Sequence, residues 1–147
     1  MSKAPLLNGK PPLIVSNLEH SKLVMIAELA ARASPAVAEE LLAEMERAEI
    51  IDDDAMPHNV VRMGSIVDFH SDSAQNGRVT LVYPHQADIA LNKVSVLTPI
   101  GAALIGLSIG HSIMWTTADG RARELTILHV EQPVSAKSFA LTHVARA

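Results

Sequence analysis

The sequence predicts an α+β chain: a short N-terminal antiparallel helical hairpin, then a largely antiparallel sheet packed on one small helix. Three observations carry this. Two stretches of helical periodicity follow each other between residues 17 and 48, separated only by a Ser34-Pro35 break. After Asp52-Asp53-Asp54 and Met56-Pro57 the pattern changes from helical to extended, with short runs rich in β-branched residues. Apolar residues make up 48% of the chain and aromatics only 3%, so the core has to be built from Leu, Ile, Val, Ala and Met. At 147 residues there is material for one good core, or for one domain with a small appendage. We divide the chain into an N-terminal arm (1–13), the hairpin (14–54, a short coiled coil), a sheet domain (55–133) and a tail (134–147) expected to be loosely ordered.

Ser16-Asn17-Leu18-Glu19 has the form of a capping box, in which the serine hydroxyl takes the glutamate amide and the glutamate reaches back to the serine. A helix over 17–32 follows, with Leu18, Lys22/Leu23, Ile26, Leu29/Ala30 and Ala33 marking its expected inner face. Ser34-Pro35 reads as an N-cap with proline at the first helical position. The second helix carries Val37, Leu41, Met45 and Ala48 on one side. So short a break forces the two helices antiparallel, each ~20–25 Å long at 1.5 Å per residue. Three adjacent aspartates and Pro57 end the hairpin.

Strands are expected over 60–69, 79–83 and 94–97, with 71–77 as a turn centred on the tight-turn pair Asn76-Gly77. Thr98-Pro99 then opens a short helix over 100–105, closed by Gly106. Strands over 112–117 and 121–130 pair across Asp119-Gly120. A mostly antiparallel sheet with its apolar face on one small helix is the economical arrangement of these elements.

Composition excludes several function classes. The chain has no cysteine, which removes disulfides, thiolate metal sites and a cysteine nucleophile, and fits a reducing cytosol. The formal charge of −4 argues against direct nucleic-acid binding. No apolar run approaches the ~18 residues needed to span a bilayer, and the polar start carries no segment of signal-peptide type.

The charge is unevenly placed. Residues 39–54 hold eight acids and a single base, Arg47. Such a run can hold a divalent cation or occupy a basic groove, but its carboxylates scatter around the helix, as on a solvated face followed by a helix stop. The seven histidines include no pair at helical ligand spacing and no HExxH. Gly101 and Gly106 have phosphate-loop spacing, yet Leu107-Ser108 stands where the lysine and hydroxyl are required. No nucleophile elbow or paired-carboxylate setting is present. No catalytic residue, cofactor site or metal site is therefore assigned. Thr98-Pro99-Ile100 is either a preorganised corner for docking a protein or simply a good helix start.

The stretches Val61-Arg62-Met63-Gly64-Ser65-Ile66-Val67, Leu81-Val82-Tyr83-Pro84 and Val94 through Gly110, with Pro99-Ile100-Gly101-Ala102-Ala103-Leu104-Ile105-Gly106 at its centre, resemble the C-terminal domain of Gre transcript-cleavage factors. The Met56-Pro57-His58 junction and the short hairpin are closer to the Rnk family, called regulators of nucleoside diphosphate kinase. The resemblance runs from about residue 14 to 130. It implies an FKBP-like C-terminal fold and docking on bacterial RNA polymerase at the rim of its secondary channel. In Gre factors that contact lies around a Ser-Pro turn, which corresponds here to Thr98-Pro99, so Thr98, Pro99 and Ile100 are the expected partner-binding residues. The hairpin departs from Gre. Gre factors carry paired acids at the tip of a longer arm, where they hold a catalytic Mg²⁺, whereas the tip here is Arg32-Ala33-Ser34-Pro35-Ala36.

The expected function is a non-catalytic cytoplasmic regulator that binds RNA polymerase, competes with Gre-type factors and affects nucleoside diphosphate kinase indirectly. It would not stimulate transcript cleavage. Two alternatives differ in class. One is a direct binding partner of nucleoside diphosphate kinase. The other is an FKBP-like peptidyl-prolyl isomerase, for which only Phe69, Tyr83, Trp115 and Phe139 are available as pocket aromatics.

Overall fold

The computed structural model describes residues 11–71, 76–116 and 120–133. A three-residue strand, β1 (Ile14–Ser16), runs directly into helix α1 (Asn17–Ala30). Ser16 caps the helix, its Oγ accepting from the amides of Leu18 (3.1 Å) and Glu19 (3.3 Å). Ala31 to Ala33 turn the chain, and α2 (Pro35–Arg47) returns with proline at its start. Ser34 holds the N-cap position without a side-chain bond; its carbonyl takes the Ala38 amide instead. α2 leads into β2 (Glu49–Ile51), which pairs in parallel with β1, Val15 facing Ile50. The sequence reading did not contain this two-stranded sheet, which clamps the open end of the hairpin.

The inner face of α1 also differs from the expected one. Leu23 and Ala27 are fully buried, while Leu18, Met25 and Leu29 are 64%, 54% and 80% exposed. α1 is apolar on more than one side, so periodicity alone did not select the buried stripe. On α2 the expected Leu41 and Met45 are buried, joined by Ala38.

A five-stranded sheet forms the rest, in the order β5-β4-β3-β7-β6. Its strands are β3 (Ile66–Ser71), β4 (Asn76–Val82), β5 (Lys93–Ser95), β6 (Ser112–Thr116) and β7 (Ala122–Glu131). All neighbours are antiparallel except β4 and β5. Residues 60–65 do not extend β3. The Val61 amide binds the Leu107 carbonyl and the Gly106 amide binds the Val61 carbonyl, and Gly64 turns the chain at φ 88°. Asn76-Gly77 is not the hairpin turn either: both residues lie in β4, opposite His70 and Phe69. Gly77 is glycine because a Cβ there would sit 2.3 Å from Cζ of the Phe69 ring. The connection between β3 and β4, the Asp119 part of the last turn and the tail from residue 134 lie outside the described residues.

The short helix α3 (Pro99–Leu104) buries Gly101, Ala102, Ala103 and Leu104. One apolar cluster links the base of the hairpin (Leu13, Val15, Leu23, Leu41), α3 (Leu104) and the sheet (Val67, Leu81, Leu125, Ile127). Each fully buried Leu or Ile contributes roughly 1.5–3 kcal/mol relative to exposure, so hairpin and sheet stabilise each other. On the sheet surface Arg78 bridges Asp68 and Glu131 across β4, β3 and β7.

Candidate functional site

Thr98 follows β5 and caps α3 with both halves of its hydroxyl engaged. Oγ1 accepts from the Gly101 amide at 3.1 Å and donates to the Ser95 carbonyl at 2.7 Å. Ser95 in turn takes the Leu97 amide on its own Oγ at 2.9 Å. Thr98 therefore shapes the corner, and what the corner offers outward is the half-buried Pro99-Ile100 pair. Pro99 has no amide proton, and Gly101, the third residue of α3, spends its own on the cap. Gly101 lets α3 approach β5 closely: a Cβ there would lie 2.1 Å from the Ser95 carbonyl oxygen.

A second constellation was not anticipated. Arg62 donates from Nε and Nη2 to Glu19 Oε2 at 3.1 and 3.0 Å, and from Nη2 also to Asp53 Oδ1. Ser16 Oγ donates to the same Asp53 oxygen, and the Met63 amide reaches Glu19 Oε1. Asn17 Oδ1 accepts from the Asp53 amide at 3.0 Å. The first turn of α1, the segment after β2 and the segment before β3 are thus tied at one point. Glu19, expected to close the capping box, is turned to Arg62 instead. Burial raises the Glu19 carboxyl above its ordinary value against the opposing pull of Arg62. The Ser16 hydrogen bond holds Asp53 below its own. Burial pulls Arg62 down, yet Glu19 and Asp53 together hold it above its usual value. Nothing in the sequence pointed to this, because Arg62 and Glu19 are 43 residues apart.

The acidic run divides. Glu44 is buried and bonds Arg47 Nε at 2.7 Å, and Arg47 also donates to the Pro11 carbonyl. Asp53 belongs to the Arg62 network, while Glu39, Glu46, Glu49, Asp52 and Asp54 are exposed. Among the described residues no group of three or more His, Asp or Glu side chains is arranged to hold a metal ion. His20 bonds the Met45 carbonyl, His70 bonds Asn76, and His111 accepts from the Ser108 amide. The aromatics spread over separate elements: Phe69 over Gly77, Tyr83 beside Lys22 and His85, Trp115 on β6. Phe139 lies outside the described residues. No described helix is long and apolar enough to cross a membrane.

Residues 56–132 match the family model described as transcription elongation factor, GreA/GreB, C-term, and residues 11–51 match the model described as Rnk N-terminus. The chain is 38% identical over 135 residues to the regulator of nucleoside diphosphate kinase of Escherichia coli strain K12, covering 90% of this chain and 99% of that one. The chain belongs to the Rnk family. As in a Gre-related Rnk protein, similarity extends to GreA of Rhodospirillum rubrum, 37% identical over 101 residues, 65% of this chain and 64% of that protein. The solved structure titled prokaryotic transcription elongation factor GreA/GreB from Nitrosomonas europaea superposes with a TM-score of 0.66 at 34% identity, over 81% of this chain and 98% of that one. The α+β architecture, two N-terminal helices and a mostly antiparallel sheet, is therefore one that this Rnk-family chain shares with a GreA/GreB protein. The Rnk relative is named a regulator rather than an enzyme, and the Gre relatives connect the family to transcription.

Proposed function

We propose that the chain is a non-catalytic regulator that binds bacterial RNA polymerase near its secondary channel and competes there with Gre-type factors. Its effect on nucleoside diphosphate kinase and nucleotide pools is then indirect. The observation that carries this reading is the GreA/GreB C-terminal match over residues 56–132, which contains the whole Thr98-Pro99-Ile100 corner. The internally satisfied Thr98 hydroxyl supports it, because it fixes Pro99 and Ile100 in one geometry at low entropic cost on binding.

The hairpin favours a regulator without cleavage activity. Helices of 14 and 13 residues give an arm of ~20 Å. Its turn, Ala31-Arg32-Ala33-Ser34, carries no carboxylate, and Asp53 is held in the Arg62 network at the opposite end. Such an arm has nothing at its tip to hold a cation. The test is binding of the full chain to core RNA polymerase, comparing the parent with Pro99→Glu, which leaves the Thr98 cap in place. Weakened binding with an unchanged melting temperature is expected, and undiminished binding would move the contact elsewhere. Backtracked complexes should show no added RNA cleavage.

Direct binding to nucleoside diphosphate kinase is the second reading, favoured by the name of the Rnk relative. A pull-down with purified kinase separates the two. An FKBP-like isomerase has less support, since Phe69, Tyr83 and Trp115 are distributed over three elements.

A further inference from the structure

Two acids of the 39–54 run stand at the rim of an apolar groove between α1 and α2. The groove has a volume of 420 Å³, and its floor is Val24 from α1 with Leu42, Ala43 and Met45 from α2. Glu39 and Glu46 edge it, and both are exposed. Seven residues apart on one helix, they stand ~10 Å from each other along its axis. Among the described residues neither pairs with a Lys or Arg. His20 closes one end, its Nε2 bonded to the Met45 carbonyl at 3.0 Å. That bond ties α1 to α2, so the groove is shaped before anything enters it.

The chemistry of floor and rim selects the occupant. The walls are helices whose backbone amides are spent internally, so an extended peptide finds no strand edge to join. A helix laid along the groove can instead seat apolar side chains spaced i, i+4 and i+7 on the floor. Lys or Arg seven residues apart on that helix would then meet Glu39 and Glu46. A second copy of the chain does not supply these charges. α1 carries Glu19 and Glu28 against Lys22, α2 four glutamates against Arg47, and α3 no charge at all. Nucleic acid and anionic lipid are repelled by the same rim.

We propose that the groove between α1 and α2 docks a basic amphipathic helix of a partner protein, its apolar side on Val24, Leu42 and Ala43 and its cations on Glu39 and Glu46. The inference is independent of the polymerase reading, because the groove lies in the hairpin and the Thr98-Pro99-Ile100 corner in the sheet domain. A contact two helical turns long falls below the roughly 1,200–2,000 Å² of a stable interface. It is therefore weak and rapidly exchanging, with its charges setting which helix is accepted.

The probe is a fluorescein-labelled helical peptide with leucines at i, i+4 and i+7 and flanking lysines seven residues apart. It is titrated against the full chain by anisotropy at ~0.15 M salt, beside a twin carrying glutamate for each lysine. Saturable micromolar binding of the lysine peptide is expected. Glu39→Lys with Glu46→Lys should weaken it about tenfold, and that variant should bind the glutamate twin instead. Ala43→Gln places a longer neutral side chain at an exposed position in the groove, and should also weaken binding about tenfold at an unchanged melting temperature. Asp52→Asn with Asp54→Asn removes two exposed acids outside the groove and should change affinity less than about twofold. An equal loss from the two aspartates, no recovery on swapping the charges, or an unaffected Ala43→Gln would overturn the proposal. So would the lack of saturable binding up to ~1 mM peptide.

Discussion

Arg62 joins two carboxylates brought from different parts of the hairpin. With its side chain 21% exposed and that of Glu19 14% exposed, removing it strands a mostly buried charge. Arg62→Ala should cost about 2–3 kcal/mol in urea unfolding, more than an exposed ion pair would. The network also sets a pH dependence. Asp53 is held below its ordinary value, first by Ser16 and then by Arg62, so its contribution is complete above the ordinary 3.8 and is lost as the pH falls through the lowered value. Glu19 is raised by burial, so its protonation on acidification favours the folded state and offsets part of that loss. Asp53→Asn should accordingly be less stable than the parent at neutral pH, with the gap closing below about pH 4. Thr98 gives a third test at this scale. Thr98→Ala should lose about 1 kcal/mol of stability with the cap, while Thr98→Ser, which keeps the hydroxyl, should lose little.

Among the elements, α3 depends on one contact. Gly101→Ala drives a methyl into the Ser95 carbonyl, a backbone atom that cannot step aside, and should cost about 3 kcal/mol or more in thermal or urea unfolding. Gly110→Ala is the control: its Cβ meets open space, so only its φ of 91° is penalised, at about 1 kcal/mol. The elements also mark what sequence pattern conveys. The α2 face and the α3 start were legible because Leu41 and Met45 repeat at helical spacing and Thr98-Pro99 is an unambiguous helix opening. β1 and β2 were not, because three residues each are too few to show a period. The α1 face was misplaced because Leu18, Met25 and Leu29 form a stripe as apolar as the buried one. Asn76-Gly77 was read as a turn although its glycine answers to the Phe69 ring across the strand pair. The docking corner was named from resemblance. The Arg62 network, built from residues distant in sequence, had no local signature.

For the whole molecule, the shared core and the Arg62 network hold the short arm firmly on the sheet domain. On our account this makes a blunt, rigid counterpart of a Gre factor, able to occupy the channel rim without acting at the catalytic centre. The decisive measurement is competition on core RNA polymerase: bound full-length chain is challenged with GreA, and cleavage is followed on backtracked complexes in the same mixtures. The account predicts mutual displacement, with GreA-stimulated cleavage falling as the chain is added. Binding that GreA does not displace, or cleavage stimulated by the chain itself, would contradict it.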